Sequence, residues 1–512
     1  VPVSPVAPAV LPGERGGWWH QYVCPAHGVE LEHVGLLTGE FPKGGAPCPH
    51  GCRVDTADVR GAWTVLAHQA CARAILAAAG GSPVEREGAV ALLREYADRY
   101  ASLGTTGHNG AAGWMLRGRL FHQALTEAIW AVTIGRAARL LGDPVPELTA
   151  GLAEAARIAR DSLVADGRFR SNYTAWLDAA GAACTGKPEW LEGPHGIFAH
   201  VLAATHTDGW EWEASTYYHS FVLRAYRHAI AAVPGVKVPA TVRARIDAMA
   251  DVLRVLVTPG GLLPSLHDGP YRRAEWDREL AELDLTPAAR RPITLHRDAG
   301  YALLHGGGLQ AILDYGPHGG SHGHLDTLSL YLYGSRVAWQ PDPGQVPYGH
   351  GYWRRYYAST AAHPTFSVDG LDQAECAGEL VSAGSAEITV ACGTAYEGVS
   401  AVRRVVLAPD GALRDELSVS ADRPRRIAAH LRPDVALTVR TDPDGTVRTK
   451  WDGGLYGTHT ASGASARFVA RAGPGPADDP QRIRTHVDWV AEDATAVTFR
   501  STYRLEGKWN RS

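Results

Sequence analysis

A change of period near the middle of the chain limits the fold more than any other feature. From Thr56 to about Met249, apolar residues recur at intervals of three and four, as in Trp63-Thr-Val-Leu-Ala-His-Gln-Ala-Cys-Ala-Arg-Ala-Ile-Leu76. That spacing lines one face of a helix. Further helices are expected near 84–98, 113–140, 147–165, 172–184, 194–205, 216–233 and 241–256; Gly80, Gly142, Gly186 and Gly235 mark ends, and Pro83, Pro144 and Pro239 mark starts. So many helices exceed a simple bundle, whereas a solenoid or a closed toroid of helical hairpins accommodates them. After Pro259, the stretch Gly260-Gly-Leu-Leu-Pro-Ser-Leu266 and a charged run from Glu275 to Glu282 lead to Arg297. Beyond it, short alternating segments dominate: Tyr301–Leu304, Leu309–Asp314, Glu387–Ala391, Ala401–Leu407, Val435–Arg440 and Thr495–Phe499. Pro409-Asp-Gly411 and Asp442-Pro-Asp-Gly445 are turn signals between them. The expected class is a multidomain α+β chain: an N-terminal segment (1–55), a helical domain (56–285) and an antiparallel β-sandwich (295–512).

The stretch Gly319-Gly-Ser-His-Gly-His-Leu-Asp-Thr-Leu-Ser-Leu-Tyr-Leu-Tyr-Gly334 carries the densest chemistry. If extended, it places His322, His324 and Asp326 on one edge, and it gives Leu328, Leu330 and Leu332 a shared parity for burial. Asp342 and His363 follow at spacings of 18 and 21 residues, and with His324 they make an N2O donor set that suits zinc. A second donor set lies near the N-terminus, in Cys24-Pro-Ala-His27 and Cys48-Pro-His-Gly-Cys52. A zinc knuckle, a disulfide from Cys24 to Cys48 or Cys52, and independent thiols are all compatible with that spacing.

A net charge of -4 offers nothing to draw the chain to nucleic acid. An anionic substrate would have to be met by a local basic patch. The 15 Trp and 19 Tyr against 8 Phe favour rings with a polar handle, suited to wet clefts and sugar faces. No apolar run is long enough to span a membrane. The opening Val1-Pro-Val-Ser-Pro fits a processed chain, so a secreted or cell-surface location is expected over a cytoplasmic one.

Ser321-His-Gly-His-Leu-Asp-Thr-Leu-Ser329, Asp342-Pro-Gly344 and Ser359-Thr-Ala-Ala-His-Pro-Thr365 resemble the heparinase II/III-like signature. So do Gly209-Trp-Glu-Trp-Glu-Ala-Ser-Thr-Tyr-Tyr-His-Ser220 and Arg170-Ser-Asn172. The resemblance implies an incomplete (α/α) toroid followed by an antiparallel β-sandwich. It also implies a polysaccharide lyase that cleaves uronic-acid polymers by β-elimination. Position by position, it makes Tyr218 the catalytic base, His322 the catalytic histidine, Asn172 the residue that neutralises the uronate carboxylate and Tyr357 a tyrosine facing the leaving oxygen. His324, Asp342 and His363 become structural zinc ligands. Apart from the resemblance, His195, Trp176, Glu213, His219 and Arg355 are the expected substrate-binding residues. Two departures stand out: Pro364 follows His363 where the family usually has Asn, and Tyr173 follows Asn172 where alginate-type members show His. His195, in Gly193-Pro-His-Gly196, is the candidate replacement for that imidazole.

The implied chemistry needs these residue types. A uronate C5 proton is weakly acidic beside a charged carboxylate, so oriented donors must take up charge as the enolate develops. A glycoside hydrolase would instead need paired acids, for which Asp208, Glu211, Glu213 and Asp326 are the material. A non-catalytic sugar-binding protein is the third reading. The expected partner is an anionic polysaccharide, bound by a monomer or homodimer.

Overall fold

The computed structural model describes residues 10–104, 116–271, 281, 283, 286–335 and 337–506. The opening Val1–Ala9, the first residues of the expected 113–140 helix and most of the Glu275–Glu282 run lie outside the described residues. The chain forms two compact units. One comprises Val1–Ala204, Phe221–Ile246 and Pro347–His350; the other comprises Thr205–Ser220, Asp247–Val346 and Gly351–Ser512.

The first unit is built from helices in antiparallel hairpins. Ala57–Ala79 leads to Pro83–Ser102, Ala124–Leu140, Pro146–Ala165, Asn172–Thr185 and Ile197–Ala204. Their starts obey local chemistry. Ser82 and Glu85 form a reciprocal capping box ahead of Pro83, and the Thr56 hydroxyl accepts from the Val59 N–H. The alanine-rich text is explained by close approach: helix Ala124–Leu140 packs on Asn172–Thr185, where a Cβ on Gly135 would sit 2.8 Å from Ala183 backbone. One expected start moves. The helix predicted over 113–140 begins only at Ala124, because the buried Glu127 carboxylate turns back to accept from Leu120 N (2.7 Å) and holds 116–123 in a loop. Pro146, not Pro144, opens the next helix.

The second unit holds the antiparallel sandwich together with Thr205–Ser220 and most of helix Ala240–Leu256, which the sequence places with the helical domain. A five-stranded sheet runs Ile293–His296, Tyr301–Gly306, Leu309–Asp314, Leu330–Gly334, Ala338–Gln340 in sequence order. It faces a ten-stranded sheet dominated by two long paired strands, Leu413–Leu431 and Ile483–Leu505. Alternation sorts the small sheet's residues. Ala302, Leu304, Ala311, Leu313, Leu330 and Leu332 enter the core shared with the large sheet. Tyr301, Leu303, Ile312, Tyr331 and Tyr333 pack on the opposite face against Trp210, Val252, Leu256 and Leu266. Both faces are therefore covered, which makes its strands nearly all apolar. The expected parity of Leu328, Leu330 and Leu332 appears in that shared core. The expected turns at Gly411 and Gly445 also form, each with positive φ.

Several histidines serve these cores in neutral form. Burial pushes His68, His200 and His219 down to about 4. Unfolded, each would take up a proton below about 6.5. A depressed folded value means that the contribution is complete above that pH and is lost as pH falls towards 4. The urea midpoint is therefore expected to hold between pH 8 and about 7 and to drop steadily from about 6 to about 4; a midpoint flat across the acidic limb would contradict it.

Candidate functional site

The topology of the small sheet gathers acids at one end. Strand Leu309–Asp314 finishes where Leu330–Gly334 begins and where Ala338–Gln340 ends. Asp314, the loop holding Asp326 and Asp342 thus emerge at a common edge. The histidine stretch before Leu330 is not the extended run expected from its alternation. Gly320–His322 is a 3-10 turn, and only from Gly323 does the backbone extend. Gly323 is obligatory there, since a Cβ would lie 1.4 Å from the His318 carbonyl oxygen. The turn sends the His322 ring towards Tyr218 and the His324 ring towards His363.

His322 lies against Tyr218, ring to ring, with centroids 3.6 Å apart and planes 18° from parallel. Tyr218 is in the first turn of helix Thr216–Ala232 and is 7% exposed. Asp268 holds the imidazole: its Oδ2 lies 3.0 Å from His322 Nδ1, while its Oδ1 lies 3.2 Å from His324 Nε2. Arg354 donates to the same carboxylate through both terminal nitrogens, at 3.0 and 2.9 Å. Against the cost of burial, Arg354 and the two histidines hold the Asp268 carboxyl well below the usual range. Asp268 did not emerge from the sequence; it sits in Leu266-His-Asp-Gly269, a segment with no periodicity, 54 positions from His322. Its loop is tied to the Tyr218 helix, because Thr216 N donates to Leu266 O and the Ser215 hydroxyl to Asp268 O. Glu213 is buried nearby, with Oε1 3.7 Å from His322 Nε2.

The expected metal set converges. Donor atoms of His324, Asp342 and His363, all buried, lie within 4.8 Å of one another. Their bonding suits a cation. His363 Nε2 donates to the Tyr357 carbonyl (2.8 Å), so Nδ1 carries the lone pair. His324 donates from Nε2 to Asp268, and its buried Nδ1 has no hydrogen-bond partner. Burial lowers both imidazoles, keeping them neutral, and pushes the Asp342 carboxyl up to about 6. An acceptor that fixes each imidazole's tautomer is the arrangement found behind metal-binding histidines. Pro364 in place of Asn leaves this intact, as the partners come from Tyr357 and Asp268.

Asp326 does not join the donor set. With Asp314 it brackets His267, whose Nε2 lies 3.0 Å from Asp314 and 3.3 Å from Asp326. Although burial opposes it, the two carboxylates hold His267 well above its ordinary value. Asp326 also accepts from the Tyr331 hydroxyl, which reaches His363 Nδ1 at 3.2 Å.

Three expected site residues stand elsewhere. Tyr357 is 1% exposed and donates its hydroxyl to Gly475 O at 2.6 Å, and its carbonyl holds His363. His219 is fully buried between the Glu211 N–H and the Met249 carbonyl, a packing histidine with both nitrogens spent. Arg355 is exposed, and its neighbour Arg354 makes the buried contact. The acids that a hydrolase would need are also engaged: Asp208 accepts from Asp298 N and Ala299 N, Glu211 from Glu213 N.

In the first unit, Asn172 is the first residue of its helix and 3% exposed, and Ser171 is the cap. Buried His200 sets that turn, with Nε2 on Ser171 O (3.0 Å) and Nδ1 on the Tyr226 hydroxyl (2.7 Å). His195 is exposed and stands edge-on to Phe169, at 5.5 Å. Trp176 is 1% exposed, packed by Phe221 and His228, and belongs to the helix core, with no face for a sugar.

Comparison with known proteins agrees with this architecture. Residues 288–505 match the family model described as heparinase II/III-like, C-terminal. No curated protein sequence matches the chain significantly. Among solved structures, a heparinase III superposes over 100% of this chain and 89% of its own, with a TM-score of 0.68 at 14% identity. A second heparinase III gives 0.65 at 15% identity, covering 86% and 78%. A mutant of the heparan sulfate lyase HepC from Pedobacter heparinus gives 0.62 at 14% identity, covering 89% and 78%. These likenesses are of fold; the family match itself covers residues 288–505, the β-sandwich part of the chain.

Proposed function

We propose that the chain is a polysaccharide lyase that cleaves a uronic-acid-containing polymer by β-elimination and leaves 4,5-unsaturated uronate ends. The observation that carries this reading is the Tyr218–His322 stack, with His322 oriented by the buried Asp268–Arg354 pair. Tyr218, its own proton first lost to solvent, takes the C5 proton as the phenolate. A phenol of ordinary pKa near 10 needs help to ionise, and the stacked imidazole supplies a polarisable neighbour across the two ring faces. The same hydroxyl then returns the proton to the glycosidic oxygen as the C4–O bond breaks. With Tyr357 turned to Gly475, that acid step falls to Tyr218 as well. His322, its Nδ1 spent on Asp268, presents Nε2 to the uronate carboxylate as charge builds there. For Asn172, a residue of the first unit, the family resemblance implies a part in binding the substrate carboxylate.

His324, Asp342 and His363 would hold a zinc ion, which supplies structural bracing and takes no part in proton transfer. Among the described residues the surroundings are rich in buried carboxylates, Asp268, Asp314, Asp326 and Asp342, an environment that favours a bound cation.

Tyr218→Phe is expected to lower kcat by about 100- to 10,000-fold, the span of general acid–base catalysis. The assay is ultraviolet absorbance of the unsaturated product across a panel of uronic-acid polymers. Unchanged turnover in that variant would remove the base assignment. Asn172→Ala should lose turnover on the same substrate while retaining wild-type thermal stability. Asp268→Asn removes the charge that orients His322 and backs His324. Turnover should fall, and metal retention at His324 should weaken by about 10- to 100-fold, read by titration with a competing chelator. A fall in turnover with metal affinity untouched would show that Asp268 does not serve both histidines.

A further inference from the structure

The lyase reading leaves one cluster of reactive side chains unused, in the N-terminal segment of the first unit. His27 Nδ1 lies 3.4 Å from Cys24 Sγ and 3.5 Å from each of Cys48 Sγ and Cys52 Sγ. All four donor atoms fall within 4.8 Å of one another. Zinc–sulfur and zinc–nitrogen bonds of about 2.3 and 2.0–2.1 Å put neighbouring corners of a tetrahedron about 3.6 Å apart, close to the three separations seen. A disulfide would instead pull one pair of sulfurs to about 2.0 Å and leave a thiol and the imidazole over; all three cysteines are free thiols.

The backbone around the four is shaped for ligation. Cys24 and His27 flank a turn closed by Gly28 N to Cys24 O (2.8 Å), with Gly28 at φ 74°. Cys48 and Cys52 flank another, closed by Gly51 N to Cys48 O (2.9 Å), with Gly51 at φ 85°. Ala46–Pro47 pairs with Arg53–Val54 and brings the ends of the second turn together. The His50 N–H points at Cys48 Sγ (3.5 Å), a donor to a thiolate. Around these turns a small core of Tyr22, Val29, Leu31, Ala46 and Val54 closes onto Trp63 of the first long helix.

We propose that Cys24, His27, Cys48 and Cys52 form a closed, structural zinc site, separate from the His324 set. It organises the N-terminal segment and through it anchors Pro347–His350. That anchoring rests on contacts within the same unit. Gly349 N donates to His20 O (3.0 Å), His350 Nε2 to Pro25 O (3.2 Å), and the His20 ring stacks on Tyr348 at 4.1 Å. Pro25 lies between the ligands Cys24 and His27. The chain runs on from His350 into helix Gly351–Tyr357, which bears Arg354.

The test is metal content and cobalt spectroscopy on the full chain. The unaltered protein should bind two zinc equivalents, and cobalt loading should give a thiolate-to-metal charge-transfer band in the near ultraviolet. Cys48→Ser/Cys52→Ser should lose one equivalent and the band. His324→Ala should lose the other equivalent and keep the band, so failure at either site is told apart from failure at the other. Should the serine variant not fold, the cobalt spectrum of the unaltered chain still decides. A loaded protein without the band, or a mass two protons short under non-reducing conditions, overturns the site. Amide exchange in the serine variant should rise together at residues 18–54 and 347–350. Protection kept at 347–350 while 18–54 opens would overturn the anchoring role.

Discussion

The second unit's chemistry depends on one buried carboxylate. Asp268 is 1% exposed and fully engaged, with two donors from Arg354 and one from each of His322 and His324. An isolated carboxylate at that depth would cost many kcal/mol and would protonate instead. The paired guanidinium geometry and the two imidazoles reverse this, so that the charge becomes the cheapest form of the group. Because each oxygen serves a different histidine, orienting the Tyr218 partner and fixing the tautomer at the metal set are one structural event. Removing Arg354 would expose both to the same uncompensated charge, a penalty of roughly 3–5 kcal/mol for a buried pair and somewhat less here, since Arg354 is 26% exposed.

The sheet explains why so many ionisable groups can be buried together. Antiparallel order places the end of one strand beside the start of the next, so Asp314, Asp326 and Asp342 reach one edge with no long excursion of the chain. Beneath them, Tyr301, Tyr331 and Tyr333 pack into an apolar layer while their hydroxyls serve backbone and acids above. The imidazolium of His267 then sits between two carboxylates in a medium of low dielectric, where each favourable contact is stronger than in water and each missing one costlier. Such a layer tolerates little change: Tyr331→Phe would orphan one oxygen of Asp326.

Period and turn chemistry made the two architectures legible, because helix faces and strand parity are local properties. The metal set was legible through its residue types and family resemblance, although its spacings of 18 and 21 residues form no compact motif. Asp268 was not, since its meaning arises only when a loop meets partners 54 and 86 positions away. Alternation misled at His322 and His324: Gly319 and Gly320, both at positive φ, break the extended run and give the histidines separate duties. Trp176, Tyr357 and His219 carried the right side chains for a cleft, and burial assigned them to packing. Residue type alone does not distinguish a sugar-facing ring from a core ring of the same kind.

The fate of the second nitrogen distinguishes His324 from His219 and His200. His219 and His200 each spend both on backbone or hydroxyl partners, and neutral imidazoles so fixed are inert. His324 spends one on Asp268 and keeps the other buried without a hydrogen-bond partner, an expense of 1–3 kcal/mol or so that folding alone gives no reason to bear. His363 turns its Nδ1 lone pair towards the same point, beside the Asp342 carboxylate. A site that leaves lone pairs aimed inward in the absence of protons has its electrostatics arranged for a cation. His27, with its Nδ1 beside three thiol sulfurs, is another imidazole among the described residues that faces a converging set of donors.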